Sequence, residues 1–166
     1  MPLDSHLMWP SGHGGWFYSE HAEFEGGAAL FLAEGVRRHE RVLFLAEDPG
    51  ARRWPQRLVD EGVLVLGALD EVYSPLRAGD LDAQRAQFVR AATAALEDGF
   101  RAIRVAADNT RIVTENLERW IAWESVADAL MEQHPVTGLC GFDRSRLTDS
   151  ALAVLGALHP RVVAPR

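Results

Sequence analysis

Lysine is absent from this 166-residue sequence, so all 17 of its basic residues are arginine. The absence excludes each chemistry that depends on a lysine side chain. These are the phosphate-loop lysine of nucleotide hydrolases, a pyridoxal Schiff base and a lysine general base. We therefore expect no catalysis of the phosphate-loop type, and we favour a domain that is not an enzyme.

Cysteine and long apolar runs are also scarce. Cys140 is the one cysteine, so an intrachain disulfide is excluded, and no apolar run approaches the ~20 residues of a membrane span. Residues 1–6 lack a basic segment followed by an apolar one, so we expect no secretory signal. The formal net charge of −7 argues against direct nucleic-acid binding. These features predict a cytoplasmic protein without membrane or nucleic-acid partners.

The short motifs of metal and nucleophile sites are missing as well. The six histidines form neither H-E-x-x-H nor a C-x-x-C pairing, which predicts no metal site. No G-x-S-x-G elbow and no dinucleotide-binding glycine fingerprint is present, and the sequence identifies no cofactor. Cys140 lies in an apolar segment and is interpreted as a core residue rather than a nucleophile.

Helix-period and strand-like segments alternate along the chain. We predict strands over 41–46, 63–66, 69–73, 102–107, 136–142 and 161–164. Between them we predict a helix after Ser19, helices over 51–61, 82–98 and 115–133, and a helix capped by Thr148. Such alternation predicts one α/β domain over 1–166, a three-layer sandwich with a mostly parallel central sheet.

The glycine-rich segment 11–18 admits three interpretations. It could be a flexible loop, a cradle for an anion, or a wall of a small-molecule pocket built by His13, Trp16 and Tyr18. The segment does not match G-x-x-x-x-G-K-[ST], and the chain has no lysine to complete that motif.

Charged residues lie in and after two predicted strands. Asp108 ends one strand and Asp143, followed by Arg144, ends another, at the edge where ligands of open α/β sheets bind. Asp108 either faces a ligand there or caps the next turn. Arg104 lies inside its strand, so it must be paired or line a cavity if the strand is central; on an edge strand it would be solvated.

Glu124 falls on the apolar stripe of the predicted helix 115–133. The stripe consists of Leu117, Trp120, Ile121, Ala127 and Met131. A carboxylate on this stripe needs a partner, and Arg104, Arg144 or a ligand donor could provide it. The alternative is that Glu124 lies at the margin of the stripe and reaches water.

Four segments together resemble the MEDS family, the methanogen/methylotroph sensory domain named after a dichloromethane-responsive regulator. They are 13–24, 31–44, 99–108 and 136–144, in that order over most of the chain. The resemblance implies a fold related to RecA/KaiC-type ATPases without a working phosphate loop. It also implies sensing of small molecules or signalling partners, beside transcription-factor, histidine-kinase or anti-sigma-antagonist modules. The sequence departs from the family pattern at Asn109, where methionine is expected, and at Gly141-Phe142, where a polar residue and tyrosine are frequent.

These observations predict a non-catalytic sensory domain that binds a small molecule and signals through a partner protein or as a homodimer. The ligand-binding residues predicted are His13, Trp16, Tyr18, Arg104, Asp108, Glu124 and Asp143. Two alternatives are a degenerate nucleotide-binding hydrolase of RecA/KaiC type and a protein-binding adaptor without a small ligand.

Overall fold

A computed structural model of the chain describes residues 12–159. Five strands alternate with helices. The strands are β1 (His13–Tyr18), β2 (Arg41–Ala46), β3 (Leu64–Ala68), β4 (Ile103–Asp108) and β5 (Val136–Asp143). The α-helices are α1 (His21–Arg37), α2 (Gln56–Asp60), α3 (Leu69–Val72), α4 (Ser74–Arg77), α5 (Leu81–Glu97), α6 (Thr110–Glu115), α7 (Leu117–Gln133) and α8 (Asp149–Leu158), with a 3₁₀ turn at Arg144–Arg146.

The five strands form one sheet in the order β1-β5-β4-β2-β3, and every neighbouring pair is parallel. The near-continuous apolar runs of β2, β4 and β5 occupy the middle of the sheet, as expected for strands covered on both faces. In the part of the chain that the structure describes, β1 and β3 are the edges. The predicted three-layer α/β sandwich with a parallel sheet is confirmed.

Side chains alternate between two cores along each strand. One core packs α1 against the sheet through residues that include Phe24, Phe31, Phe44 and Leu139. The other packs α5 and α7 against the opposite face, with Leu43, Val105, Trp120, Cys140 and Phe142 among its members. This second face holds the candidate site.

Side-chain caps fix where three helices begin. The side chains of Asp80, Asn116 and Thr148 accept hydrogen bonds from backbone N–H groups in the first turns of α5, α7 and α8. Each cap satisfies a donor that the helix itself leaves unpaired. The predicted cap at Thr148 is confirmed. No helix within residues 12–159 is long and apolar enough to cross a membrane.

The structure differs from four local predictions, of which the first three concern the type or the bounds of a helix or strand. The strand predicted over 69–73 is wrong, because Leu69–Val72 forms a short helix whose Leu69 is buried. The helix predicted over 51–61 shrinks to Gln56–Asp60 because it starts only after Pro55. The helix predicted over 115–133 starts at Leu117, since Asn116 adopts an extended conformation and caps it. The strand predicted over 161–164 lies outside the described residues.

The fourth difference concerns the glycine-rich segment. The loop interpretation is wrong, because His13–Tyr18 pairs in parallel with β5 over its whole length. The pairing buries Trp16 and Tyr18, which are 3% and 1% exposed. Burial of these two rings favours a strand over the disorder that the glycines indicate locally.

Candidate functional site

A small cavity lies between the sheet and helices α5 and α7. Its volume is about 30 Å³, and its lining includes four aromatic residues: Tyr73, Phe88, Trp120 and Trp123. One water needs roughly 10–15 Å³ of such space, so the cavity has room for a molecule of a few heavy atoms. Three side chains with polar atoms, His13, Glu124 and Cys140, line the same cavity.

The three side chains meet a fourth, His159, which follows α8. The Nε2 atom of His13 lies 3.0 Å from Cys140 Sγ, 3.3 Å from Glu124 Oε2 and 3.2 Å from His159 Nε2. His159 Nε2 also lies 3.2 Å from Glu124 Oε1. One donor atom from each residue falls within 4.8 Å of all the others. The four residues are called the His–Glu–Cys cluster below.

Both imidazole rings of the cluster are held in place through Nδ1, the nitrogen that faces away from the other cluster residues. Nδ1 of His13 lies 2.8 Å from Oδ1 of Asp128, which is half-exposed on α7. Nδ1 of His159 lies 2.7 Å from the backbone carbonyl of Leu155, which can only accept. Both Nδ1 atoms therefore carry the proton, and both Nε2 atoms face the cluster.

Glu124 is buried to 1% exposure and is held at one oxygen only. The indole Nε1–H of Trp120 donates to Oε1 over 2.6 Å, whereas Oε2 has no hydrogen-bond partner. A buried carboxylate oxygen without a donor costs free energy, so the arrangement is complete only when a proton or a cation faces Oε2.

The pKa values of His159 and Cys140 respond to this buried carboxylate. Burial lowers the pKa of His159, but the hydrogen bond and the charge of Glu124 outweigh burial, so the pKa lies above its ordinary value. Burial, followed by the charge of Glu124, raises the pKa of the Cys140 thiol well above its usual range. The amide of Asn109 opposes that shift. Cys140 is therefore a neutral thiol unless a cation stands beside it.

One glycine makes room for the cluster, and a second lies beneath Met131. A Cβ on Gly15 would lie 2.7 Å from Cβ of His159, so only glycine lets α8 bring that ring against β1. A Cβ on Gly138 would lie 2.6 Å from Cε of Met131, whose thioether packs over the strand beside the cavity. The glycines of this region thus permit close packing, and neither forms a phosphate loop.

Three of the predicted ligand residues lie together at the carboxyl ends of the strands. The hydroxyl of Tyr18 donates to Oδ2 of Asp108 over 2.5 Å, and the hydroxyl of Thr110 donates to Oδ1 over 2.8 Å. Thr110 in turn accepts from the backbone N–H of Asp143, whose carboxylate caps Ser145. The side chains satisfy one another, and Asp108 caps the turn after its strand.

The other predicted residues are spread over both faces of the sheet. His13 and Glu124 lie in the cluster. Trp16 packs in the opposite core against Gly27 of α1. Arg104, on the central strand β4, donates from Nε to Oε2 of Glu40 over 2.6 Å, so it is paired as its burial requires. The seven predicted residues therefore do not line one pocket in the described part of the chain.

Sequence reasoning does not identify two residues of the site, His159 and Asp128. The interpretation of Cys140 as a core residue is confirmed by its burial, and its sulfur also lies beside His13. The position of Asp128, four residues after Glu124 on α7, could have indicated a second carboxylate on the same side of the helix. No local signal indicates His159, which is 146 residues from its contact His13.

Comparison with known protein families identifies the family of this chain. The sequence model of the MEthanogen/methylotroph, DcmR Sensory domain family, MEDS, matches residues 12–160. Neither the curated proteins nor the solved structures contain a significant match. The relation to RecA/KaiC-type ATPases therefore stays a prediction. Because the match spans most of the chain and every described residue, the chain belongs to the MEDS family of sensory domains.

Proposed function

We propose that this sensory domain binds a small molecule of a few heavy atoms in the cavity beneath α7. The observation that carries the proposal is the cavity itself, an aromatic space inside a packed core with polar atoms at one end. Well-packed cores hold few voids larger than a water molecule, so a space of this size is a candidate ligand-binding site.

The lining indicates the chemistry of the ligand. Tyr73, Phe88, Trp120 and Trp123 offer apolar surface, which favours a small apolar or weakly polar body. The polar end supplies His13, Glu124 and Cys140, which can hold one polar group by hydrogen bonds. A carbon skeleton of one to three atoms with one polar group satisfies both conditions.

Signal output would pass through α7, which forms one wall of the cavity and carries Glu124. Met131, near the end of this helix, is unbranched and adapts to changes of volume. A ligand that displaces Met131 or repositions Glu124 changes how α7 packs on β5. A partner protein or a second copy that contacts the outer side of α7 would detect that change.

A cavity-filling variant tests the ligand site. Ala127 is buried on the cavity wall, and Ala127→Leu would occupy the space. Ala122, exposed on the same helix, provides the matched control Ala122→Leu. Probes are xenon and a panel of alcohols, amines, carboxylates and haloalkanes with one to three carbons, and the measurement is the shift of the melting temperature.

We expect at least one probe to stabilise the wild type and Ala122→Leu, and to leave Ala127→Leu unchanged. A ligand at a hundred times its Kd adds about 2.7 kcal/mol of stability. Equal stabilisation of Ala127→Leu by the same probe would place binding elsewhere. No stabilisation by any probe would contradict the proposal.

Signalling through a partner or a homodimer needs a separate measurement. Light scattering after size exclusion, with and without the stabilising probe, measures the mass of the assembly. A change from one mass to twice that mass supports dimerisation as the output. An unchanged monomer mass favours a partner protein.

A further inference from the structure

We propose that the His–Glu–Cys cluster binds one divalent transition-metal ion of the zinc type. The cluster contains two imidazole nitrogens, one sulfur and one carboxylate oxygen, which are the donor types that zinc uses in proteins. The metal would use the same three polar residues that line the proposed ligand cavity, so the test below adds no small molecule.

The donor atoms lie close enough together to surround one ion after a small adjustment. Zinc bonds of about 2.0–2.3 Å place tetrahedral donors about 3.3–3.6 Å from one another. The contacts of His13 Nε2 with Cys140, His159 and Glu124 are 3.0, 3.2 and 3.3 Å. The distance from His159 Nε2 to Glu124 Oε1 is 3.2 Å. The donor atoms lie up to 4.8 Å from one another, so binding requires the most distant ones to move inward by about 1 Å while the close ones separate by a few tenths of an ångström.

The protonation of the rings also favours a cation. Each Nδ1 is committed as a donor, to Asp128 for His13 and to the carbonyl of Leu155 for His159. In their neutral forms the two rings then point lone pairs at each other across 3.2 Å. A carboxylate that holds the far nitrogen of a metal-binding histidine is the usual outer partner of such a site, and Asp128 has this position.

With Glu124 ionised, protons alone do not satisfy the same atoms; the arrangement of protons that does requires Glu124 as a neutral acid whose Oε2–H donates to Nε2 of His13. If His159 is charged and pairs with Glu124, the thiol of Cys140 can donate to His13, but Oε2 of Glu124 keeps no donor. If His13 is charged as well and donates to Oε2, two imidazolium rings face each other across 3.2 Å. One divalent ion removes both conflicts.

Charge balance supports the same conclusion. Binding of a divalent ion displaces the proton of the Cys140 thiol to solvent, so that thiolate and Glu124 carboxylate together neutralise the ion. The neutral site carries no net charge into a region where the four side chains are at most 9% exposed. His13, beside the half-exposed Asp128, stands between the cluster and solvent and offers the route of entry.

The experiment uses the full chain without an affinity tag, stripped with a chelator and titrated with Zn²⁺ or Co²⁺ alone. We expect one equivalent of metal per chain by elemental analysis. The Co²⁺ form should show the strong near-ultraviolet absorption of a thiolate–cobalt bond and the visible bands of tetrahedral cobalt. Cys140→Ser should lose the near-ultraviolet band and weaken the Kd for Co²⁺ at least tenfold.

Two further variants keep the test decisive if Cys140→Ser fails to fold. Asp128→Asn changes a half-exposed residue that binds no metal itself, and we expect it to weaken the Kd for Zn²⁺ about 10–100-fold. His21→Ala removes an exposed histidine beside Glu25, a candidate for adventitious metal binding, and should leave the Kd unchanged.

Three results would overturn the inference. The first is a stripped wild type that takes up less than one equivalent of either ion. The second is a Co²⁺ complex without thiolate absorption, and the third is metal binding that His21→Ala weakens while Asp128→Asn does not. Because no small molecule is added, a failure here is distinguishable from a failure of the cavity test.

Discussion

Removal of Glu40 from its buried ion pair should destabilise the fold strongly. Oε2 of Glu40 accepts from Nε of Arg104 over 2.6 Å, and the Arg104 side chain is only 4% exposed. Its guanidinium also lies 4.7 Å above the ring of Phe31. Glu40→Ala leaves this cation buried without a counter-charge, while the ring contact remains.

The structure sets the magnitude of the loss. Breaking a buried pair by removing one partner costs about 3–5 kcal/mol, and the slight exposure of Glu40 places the expected loss near the lower value, ~3 kcal/mol. For a chain of this size each kcal/mol shifts the melting temperature by about 2–4 °C, so we expect a fall of about 6–12 °C. Such a loss is a large part of a typical stability of about 5–15 kcal/mol.

Urea unfolding followed by tryptophan fluorescence measures the change, since the chain has five tryptophans. Glu40→Gln keeps an acceptor and should lie between the wild type and Glu40→Ala. The matched control is Glu34→Ala, which removes a partly exposed carboxylate paired with Arg37 and Arg38 and should cost no more than about 1 kcal/mol.

A double variant separates the charge from the packing. Combining Glu40→Leu with Arg104→Met replaces the pair by apolar side chains and should restore stability close to that of the wild type. The reasoning fails if Glu40→Ala costs no more than the Glu34 control. It also fails if the double variant is as unstable as Glu40→Ala.

The structure determines the expected result of three further experiments, two on variants and one on the thiol of Cys140. Gly27→Ala should destabilise the protein by about 1–3 kcal/mol in urea unfolding despite its better helix propensity, because the new Cβ would lie 1.8 Å from the Trp16 ring; equal or higher stability would contradict the packing. In the metal-stripped protein, burial and a raised pKa should keep Cys140 unreactive to a thiol reagent at mildly alkaline pH until urea unfolds the chain; rapid labelling of the folded protein would refute this. Thr148→Ala removes the acceptor for the N–H of Ala151 and should cost about 1 kcal/mol in the same urea assay, and an unchanged midpoint would show that the cap contributes nothing.

The sequence predicts the middle of the sheet better than its edges. β2 is predicted at its observed bounds, and β4 and β5 to within one residue, because their apolar runs require burial on both faces. β1 contains two glycines, and its strand conformation depends on pairing with β5, which lies far along the chain. Leu69–Val72 contains two acidic residues, which are disfavoured in strands, and it forms a helix that buries Leu69 at its start.

The candidate site is likewise predicted where local sequence determines a residue's position and missed where contacts between distant residues determine it. Helical spacing alone places Glu124 on the apolar stripe of α7, and its burial confirms that position. Its role as a ligand-binding residue stays a prediction. The cluster itself is invisible to spacing motifs, since its donors come from β1, α7, β5 and the residue after α8. The prediction of no metal site rests on the absence of such motifs, which test only ligands that are close in sequence.

The polar atoms that sequence reasoning placed at the strand ends are largely satisfied, whereas the cluster beneath α7 is not. Asp108 accepts from Tyr18 and Thr110, so a ligand at that edge would have to break hydrogen bonds before it formed new ones. Oε2 of Glu124 has no hydrogen-bond partner, and it lies 3.3 Å from Nε2 of His13, whose ring is already oriented by Asp128. Preorganised, unsatisfied atoms next to a cavity bind at lower cost than satisfied ones. For that reason we place recognition at the cluster and its cavity rather than at the carboxyl edge of the sheet.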